Sequence, residues 1–503
     1  MRSILLSIFT LSLLTSLFAQ NQQFPEFNLQ KSEVEAHLRF LASDELQGRR
    51  TGEKGNDVAA AYLAAQLAAY GVKRVAGANG YMQPVALEET QAVENASLTW
   101  NKNEFQQRKN LMILNGSAND LEAKAVFAKH GWIDENKGIN DYEGLNVKGK
   151  IVVTNIGSPE DNSAMGVFTS MSQKRKWAQE QGAIGLIELF QLGKSFWGRA
   201  TSYFARPRVQ LTSPGQADAD FVYGWLLEEE TGFGVAIKEG KKKKVILSTD
   251  QPNSKKLLSD NVIGVIEGSD PQLKEEYILL SAHYDHVGTG KQGGGAFSAQ
   301  DSIFNGARDN AMGTTAVLAA AKSLSMKPPK RSVIILAVTG EELGLLGSRY
   351  YAENPLIPLE KTIFNLNTDG AGYNNTEKVS IIGLGRTGID EELKVAAKNF
   401  GLDLGDDPAP EQGLFDRSDN VSFAAKGVPA ACFSPGMNSF DQSIMKYYHQ
   451  VTDNPNTIDF DYLLSFCQSF THAARLIADK DNRPKWVEGD KYEEAGQQLY
   501  DME

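Results

Sequence analysis

The carboxyl-terminal half of this sequence predicts an α/β fold, with a mostly parallel mixed sheet flanked by helices. From residue 261 onward, short apolar strands alternate with helical segments. The strand candidates are 277–280, 332–338, 362–366, 379–382 and 429–433, and the helix candidates are 314–324, 342–352 and 391–400. Because parallel strands need crossover connections, this alternation favours a sheet with helices on both faces.

The rest of the sequence predicts a second domain inserted into the first. A chain of 503 residues is too long for one compact core. Residues 30–90 are helical in pattern, and an alanine-rich segment there ends at Gly71, as helices often do at a glycine. From 95 to 254 the sequence is rich in short β segments and contains one helix candidate. We therefore expect an inserted β-rich α+β domain at 95–254, between two parts of one domain at 20–94 and 255–503.

The first nineteen residues are expected to be a cleaved secretory signal peptide. Arg2 precedes the apolar run 4–18, and Ala19 provides a small residue for cleavage before Gln20. This run is too short to span a bilayer, and no other stretch approaches the roughly 20 apolar residues that a spanning helix needs. The sequence thus predicts a secreted or periplasmic protein without a membrane span.

Composition excludes several classes of partner and chemistry. The net charge of −12 argues against nucleic acid or an anionic membrane as a partner. Cys432 and Cys467, the two cysteines, lie in apolar segments, so two buried thiols and a single disulfide both fit. A catalytic thiol is disfavoured because no basic activating motif accompanies either cysteine.

Five short motifs place metal-binding side chains after apolar strands or at glycine-marked turns. They contain His283 (SAHYDHVG), Asp309 (NGARDNAMG), Glu341 and Glu342 (VTGEELG), Asp369 (NLNTDGAG) and His449 (KYYHQVTD). Ligands of α/β proteins bind at the carboxyl ends of the strands, so we expect these residues to converge. Histidine nitrogens and carboxylate oxygens are ligands of zinc. The set predicts a site for two metal ions, and with it hydrolysis of amide bonds.

Residue type and spacing suggest individual roles. Asp309 carries two oxygens and can bridge two ions. Asp285 lies two residues after His283, on the same side of an extended segment, and is placed to accept the second N–H of that imidazole. Glu341 and Glu342 are adjacent and should face opposite ways, so that one coordinates metal while the other acts as general base.

Two further residues, Asp369 and His449, are ligand candidates because of the other residues around them in the sequence. Asp369 is preferred to Asn367 as a ligand because a carboxylate binds metal better than an amide does. His449 is a ligand candidate only as a member of the whole set. His286 is near in sequence but is expected to face away from His283.

Together these motifs resemble those of the co-catalytic di-zinc aminopeptidases, the group that includes leucyl aminopeptidase, glutamate carboxypeptidase and the transferrin receptor. DELQGRRTGEKGN and RSDNVSFAAKGVPA resemble the flanking signatures of that group, and VKGKIVVTNIGSPED resembles its inserted protease-associated domain. The resemblance covers residues 30–90 and 255–475. It implies the zinc exopeptidase fold and two zinc ions, one held by His283, Asp309 and Asp369, the other by Asp309, Glu342 and His449. It also implies that Glu341 is the base, and Asp285 is the second catalytic candidate.

Two positions depart from that pattern, and both bear on substrate preference. Arg308 stands where the family commonly has a second acid, and Asn420 stands where it has histidine in SDH. The expected function is that of an exported aminopeptidase acting on peptides, with its side-chain preference and oligomeric state left open. A carboxypeptidase, a glutaminyl cyclase-like acyltransferase and a receptor-like binding module without catalysis are the alternatives.

Overall fold

The protein is described here by a computed structural model, which covers residues 24–212, 221–228, 232–240, 244–250 and 253–501. The described chain forms two compact units, one of residues 24–86 and 258–501 and the other of residues 87–257. The expected signal peptide at 1–19 lies outside the described residues. The second unit begins at Leu87 and ends at Leu257, whereas the expected insertion runs from 95 to 254. Its identity as a protease-associated domain stays a prediction.

The first unit contains a mixed sheet, whose strands we number β1 to β8 in chain order. They are Met82–Thr90, Ser254–Ile266, Tyr277–His283, Ser332–Val338, Thr362–Asn367, Lys378–Ile382, Asp403–Gly405 and Ala430–Pro435. In space their order is β1-β2-β4-β3-β5-β8-β6-β7. The four central strands β4, β3, β5 and β8 are parallel to one another, while β2 and β6 run antiparallel to their neighbours β4 and β8.

Helices α1 to α9 of this unit are likewise numbered in chain order. They are Lys31–Leu41, Lys54–Ala69, Met312–Met326, Leu346–Glu353, Asp390–Asn399, Asn420–Ala424, Gln442–Met445, Phe460–Asp479 and Glu493–Leu499. All seven residues of β4 are buried, as expected for a parallel strand covered on both faces. Apolar side chains of α1, α3 and α8 join those of the strands in one core. The expected α/β architecture is thus confirmed.

One helix begins later than its sequence predicts. The apolar spacing after Glu342 predicts a helix over 342–352, but α4 begins at Leu346. Gly344 and Leu345 have positive φ angles of 105° and 60°, and such residues cannot continue a right-handed helix. Glu341 and Glu342 therefore lie in a turn after β4, where their side chains can point in different directions.

The second unit is built around its own eight-stranded sheet. In spatial order the strands are Asn103–Gln106, Ala96–Trp100, Lys244–Thr249, Ala118–Phe127, Ile151–Asn155, Gly185–Phe190, Val222–Leu227 and Leu111–Asn115. Helices Ala164–Glu180, Gly193–Phe204 and Phe233–Lys238 accompany it. Within it, Lys174 pairs with Glu188, which also accepts a hydrogen bond from the hydroxyl of Tyr223 at 2.5 Å. Across the described parts of both units, no helix combines the length and apolarity needed to cross a membrane.

A buried ion pair in the first unit leads to a stability prediction. Glu26 accepts hydrogen bonds from Arg475 at 2.7 and 3.1 Å and contacts His472 at 3.0 Å, and all three side chains are buried. Replacing one partner of a buried pair leaves the other charge uncompensated. We expect Arg475→Leu to lower the free energy of unfolding of this unit by about 3–5 kcal/mol in urea denaturation.

The exposed pair of Lys31 with Asp461, at the other end of α8, provides the control. Lys31→Ala should change stability by about 0–1 kcal/mol, because exposed pairs contribute little. Equal losses in the two variants would contradict the structural role given to Glu26 and Arg475.

Candidate metal centre

The carboxyl ends of three neighbouring parallel strands bring most of the predicted ligands to one edge of the sheet. His283 is the last residue of β3, and Asp369 follows the end of β5 by two residues. Glu341 and Glu342 occupy the turn after β4. Asp309 lies in the loop before α3, and His449 lies in the turn after α7. All the predicted ligands therefore meet in the first unit.

Two groups of ligand atoms form within this set. In the first group, Nε2 of His283 lies 3.2 Å from Oδ1 of Asp369 and 3.3 Å from Oδ1 of Asp309. In the second group, Nε2 of His449 lies 3.0 Å from Oε2 of Glu342 and 3.2 Å from Oδ2 of Asp309. Nitrogen and carboxylate oxygen atoms gathered in this way are suited to hold divalent ions such as zinc. Among the described residues, atoms of His283, Asp309 and Asp369 lie close enough together to share one ion, and so do atoms of His286, Asp309 and Glu342.

Asp309 belongs to both groups. Its Oδ1 faces His283 and its Oδ2 faces His449. The carboxylate is buried between the two groups. This arrangement fits the bridging role expected for Asp309.

The backbone around Asp309 is fixed by a second buried acid, Asp453. Its carboxylate accepts the N–H of Arg308 at 3.0 Å and the N–H of Asp309 at 3.3 Å. On the other side, the amide of Asn310 donates to the carbonyl of Thr368 at 3.0 Å. These contacts orient the Asp309 carboxylate relative to the Asp369 segment.

Asp285 is buried beside His283, but its contacts differ from those expected. Its Oδ1 lies 3.7 Å from Nδ1 of His283, whereas its backbone carbonyl lies 3.3 Å from the same nitrogen. The carboxylate instead accepts the N–H of Glu341 at 3.2 Å and the hydroxyl of Thr51 at 3.0 Å. Asp285 thus links the His283 strand to the turn that carries Glu341.

A cavity of about 80 Å³ opens beside the ligand groups. Glu341, Asp309, Asp369 and His449 line it, whereas Glu342 does not. The remaining lining residues are Gly370, Ala371, Ile382, Leu414, Arg417, Ser418, Cys432, Ser434, Met437, Phe440 and Tyr448. The two adjacent glutamates therefore face different surroundings, and Glu341 is the one that faces this space.

Electrostatics separate the two glutamates further. Burial, together with the charges of Asp369 and Glu342, raises the pKa of Glu341 well above its usual range. Against burial and the charge of Asp309, contacts with His286 and His449 hold the pKa of Glu342 at about 2. The two adjacent carboxyl groups thus differ in their affinity for protons.

His286 is part of the site, although sequence reasoning set it aside. Its side chain is buried, and Nδ1 lies 2.7 Å from Oε1 of Glu342. Its ring centroid lies 5.6 Å from that of His449. The strand ends at His283, so the alternation used to place His286 does not extend to it. Its position could not be read from spacing alone.

Arg49 is a second residue that sequence reasoning missed. It is buried and donates hydrogen bonds to the carbonyls of Tyr284 at 2.8 Å, Asn305 at 2.5 Å and Gly306 at 3.0 Å, and also to that of Leu41. The carbonyls of Tyr284, Asn305 and Gly306 belong to the segments that carry His283 and Asp309, and that of Leu41 ends α1. The DELQGRRTGEKGN motif, which contains Arg49, was the available signal.

The two departures from the family pattern lie outside the ligand groups. The guanidinium of Arg308 lies 4.2 and 4.0 Å from the ring centroids of Tyr373 and Tyr447 and donates to the carbonyl of Thr457 at 2.6 Å. The buried amide of Asn420 donates to the carbonyl of Phe415 at 2.9 Å. Both side chains thus organise loops.

Both cysteines are free and buried. Cys432 lines the cavity, but burial and the neighbouring Asp369 raise the pKa of its thiol to about 12. Burial also raises the pKa of Cys467. Neither thiol carries the thiolate character of a nucleophile.

Comparison with known proteins links this site to a peptidase family. Residues 261–473 match the profile of peptidase family M28. Aminopeptidase YwaD of Bacillus subtilis is 26% identical over 234 residues, which are 46% of this chain and 47% of that protein. A vacuolar membrane protease of Saccharomyces cerevisiae is 36% identical over 114 residues, 23% of this chain and 10% of that protein. The chain thus spans about half the length of the first relative and a tenth of the second.

Among solved structures, the fold is similar to that of an aminopeptidase from Aneurinibacillus sp. strain AM-1. The TM-score is 0.55 and the sequence identity is 20%, with 92% of this chain and 96% of that chain covered. At this level of identity the likeness concerns the fold.

The shared position of Asp309 leads to a prediction about metal content. We expect Asp309→Ala to weaken binding at both ligand groups, whereas His449→Ala should chiefly weaken binding at one. Metal analysis of the purified, folded variants after dialysis against a weak chelator measures this. Retention of one full equivalent by Asp309→Ala, or equal losses in the two variants, would contradict the bridging role.

Proposed function

We propose that this chain, whose residues 261–473 match the profile of peptidase family M28, is a zinc-dependent aminopeptidase that removes N-terminal residues from peptides. The observation that carries the proposal is the pair of ligand groups that share Asp309 beside a cavity lined by Glu341. The Bacillus subtilis relative, named an aminopeptidase, supports the assignment. Export through the signal peptide at 1–19 is part of the same proposal and rests on the sequence.

The proposed ligands divide between two zinc ions. His283, Asp309 and Asp369 would hold one, and Asp309, Glu342 and His449 would hold the other. When bound, zinc supplies positive charge that polarises the scissile carbonyl and lowers the pKa of water. The side chain of Ser418 donates to Oδ2 of Asp369 at 2.5 Å and so keeps Oδ1 directed toward His283.

Glu341 carries the proton in this proposal. A carboxylate that lines the cavity can take a proton from the attacking water and deliver it to the departing amine. Glu341 would be in its basic form before attack, because a cation held by the neighbouring ligand groups would lower its raised pKa. The hydrogen bond from its N–H to Asp285 holds the turn that aims it at the cavity.

The cavity suits a single substrate side chain. Its volume of about 80 Å³ is well below the roughly 300–1,000 Å³ that is usual for a drug-sized ligand. Ile382, Leu414, Met437 and Phe440 form an apolar part of its lining. A small, partly apolar cavity beside the catalytic groups favours removal of one residue at a time.

One observation keeps a second candidate open, a carboxypeptidase. Such an enzyme needs a basic residue for the terminal carboxylate of its substrate, and Arg417 lines the cavity. In the described part of the chain, Arg417 is exposed and makes no ion pair.

A panel of peptides decides between these activities. We expect hydrolysis of peptides with a free N-terminus, and loss of hydrolysis when that amine is acetylated. Amidation of the C-terminus should leave the rate unchanged, because an aminopeptidase does not need the terminal carboxylate. Loss of activity on amidation with tolerance of acetylation would instead establish a carboxypeptidase. Failure to cleave any member of the panel in the zinc-loaded protein would refute both.

Substitution of Glu341 tests the assignment of the base. Glu341→Gln should lower kcat by at least about 10²-fold, since the amide cannot accept and return a proton. Metal content should remain that of the wild type, because Glu341 is not a proposed ligand. The exposed Glu360 offers a matched control, and Glu360→Gln should leave kcat and metal content unchanged. Loss of a metal equivalent in Glu341→Gln would show instead that Glu341 is a ligand.

A further inference from the structure

One wall of the cavity is the short 3₁₀ turn Leu414–Arg417. Such a turn has three residues per turn, so Leu414 and Arg417 share a face, and both line the cavity. Phe415 and Asp416, the two residues between them, do not line it. The opposite face of the turn is therefore available for contacts elsewhere in the unit.

Those contacts come from the last part of the chain, residues 482–500, which we call the C-terminal tail. Phe415 is buried with Trp486 in a cluster against which Tyr492 packs. The ring centroid of Phe415 lies 6.3 Å from that of Trp486 and 6.0 Å from that of Tyr492. Asp416 accepts hydrogen bonds from Lys491 at 2.5 Å and from the hydroxyl of Tyr492 at 2.9 Å.

Arg386 connects the tail to the ring of Phe415. Its guanidinium makes two hydrogen bonds to the carboxylate of Asp490, at 2.7 and 2.9 Å. It also lies 4.0 Å from the ring centroid of Phe415 and 5.1 Å from that of Trp486. Two-pronged pairs of this kind are directional and stronger than single hydrogen bonds. The pair thus fixes the tail and the turn in one arrangement.

The turn also has contacts within the matched region, where Phe415 is buried with Ile382, Ala424, Ala430 and Cys432. The amide of Asn420 donates to the carbonyl of Phe415 from within the unit. The tail lies outside residues 261–473, the part that matches the family profile. The turn is therefore held from two sides, by the matched region and by a segment beyond it.

We propose that the C-terminal tail is a positioning element of the substrate cavity, which sets the place of Leu414 and Arg417 by clamping Phe415 and Asp416. This inference rests on the proposed function for its consequence in catalysis, because the clamped wall is the wall that a substrate side chain contacts. The tail touches neither the ligand groups nor Glu341 in any described contact, so it acts on substrate binding and selectivity through the turn.

Tyr492→Ala is the variant that tests the clamp. We expect a roughly tenfold rise in KM for a leucine amide, with kcat and metal content close to wild type, because a displaced cavity wall weakens side-chain contacts. The preference for leucine over alanine amides should fall by a similar factor. Tyr492→Phe, which keeps the ring and removes the hydroxyl, should restore most of the wild-type KM.

Tyr500→Ala is the matched control. Tyr500 also belongs to the tail, but its hydroxyl donates to the carbonyl of Thr362, away from the turn. Its removal should leave KM and the leucine-to-alanine preference unchanged. An equal change in both variants would show general loosening of the unit and overturn the proposal.

Hydrogen exchange of the zinc-loaded protein measures how firmly the tail holds the turn. It needs no substrate turnover, so it tests the clamp even if the proposed function is wrong. Tyr492→Ala should speed exchange of the amides at 413–417, and Tyr500→Ala should not. Unchanged exchange in Tyr492→Ala overturns the clamp. Faster exchange with an unchanged KM and preference shows that the tail does not position the cavity wall, and overturns its role in selectivity.

Discussion

Carboxyl groups are crowded at one edge of the sheet of the first unit, and the site depends on how the repulsion between their charges is offset. Asp285, Asp309, Asp419 and Asp453 are buried there, close to Glu341, Glu342 and Asp369. Burial and the charges of Asp369 and Asp285 raise the pKa of Asp419 to about 7, and burial raises that of Asp453 to about 6. These neighbouring carboxyl groups cannot all stay ionised unless positive charges or hydrogen-bond donors offset their repulsion. Divalent cations between the ligand groups would provide that compensation.

The chain also supplies part of the compensation itself, through groups that bind the backbone of the site. Asp453 is matched by the N–H groups of Arg308 and Asp309, and Asp285 by that of Glu341. Arg49 reaches the same loops from the N-terminal segment and binds their carbonyl groups. The charge of Arg49 also interacts electrostatically with Asp285 and Asp453, although Arg49 donates no hydrogen bond to either of them. The loops are thus held by interactions that also lower the energy of the buried acids.

Much of this edge could be predicted from sequence because the information was local. Apolar strands followed by His283, Glu341 or Asp369 place those residues at carboxyl ends, and parallel strands share one such edge. A motif marked Arg49, but its contacts and those of His286 and Asp453 could not be predicted, since they depend on which distant loops fold against these residues. The helix predicted to begin at Glu342 begins instead at Leu346, because Gly344 and Leu345 have positive φ angles. Such angles depend on tertiary contacts as much as on residue type.

The same dependence on distant contacts couples metal binding to folding. The proposed ligands come from five separate segments between residues 283 and 449, so the unfolded chain contains no preformed site. Any free energy gained on binding metal therefore stabilises the folded unit. Without metal, the crowded acids retain histidines, backbone N–H groups and the hydroxyls of Thr51 and Ser418 as partners. In the proposed site the cations would therefore act as structural partners as well as in chemistry, and loss of metal should loosen this edge before it affects the core beneath it.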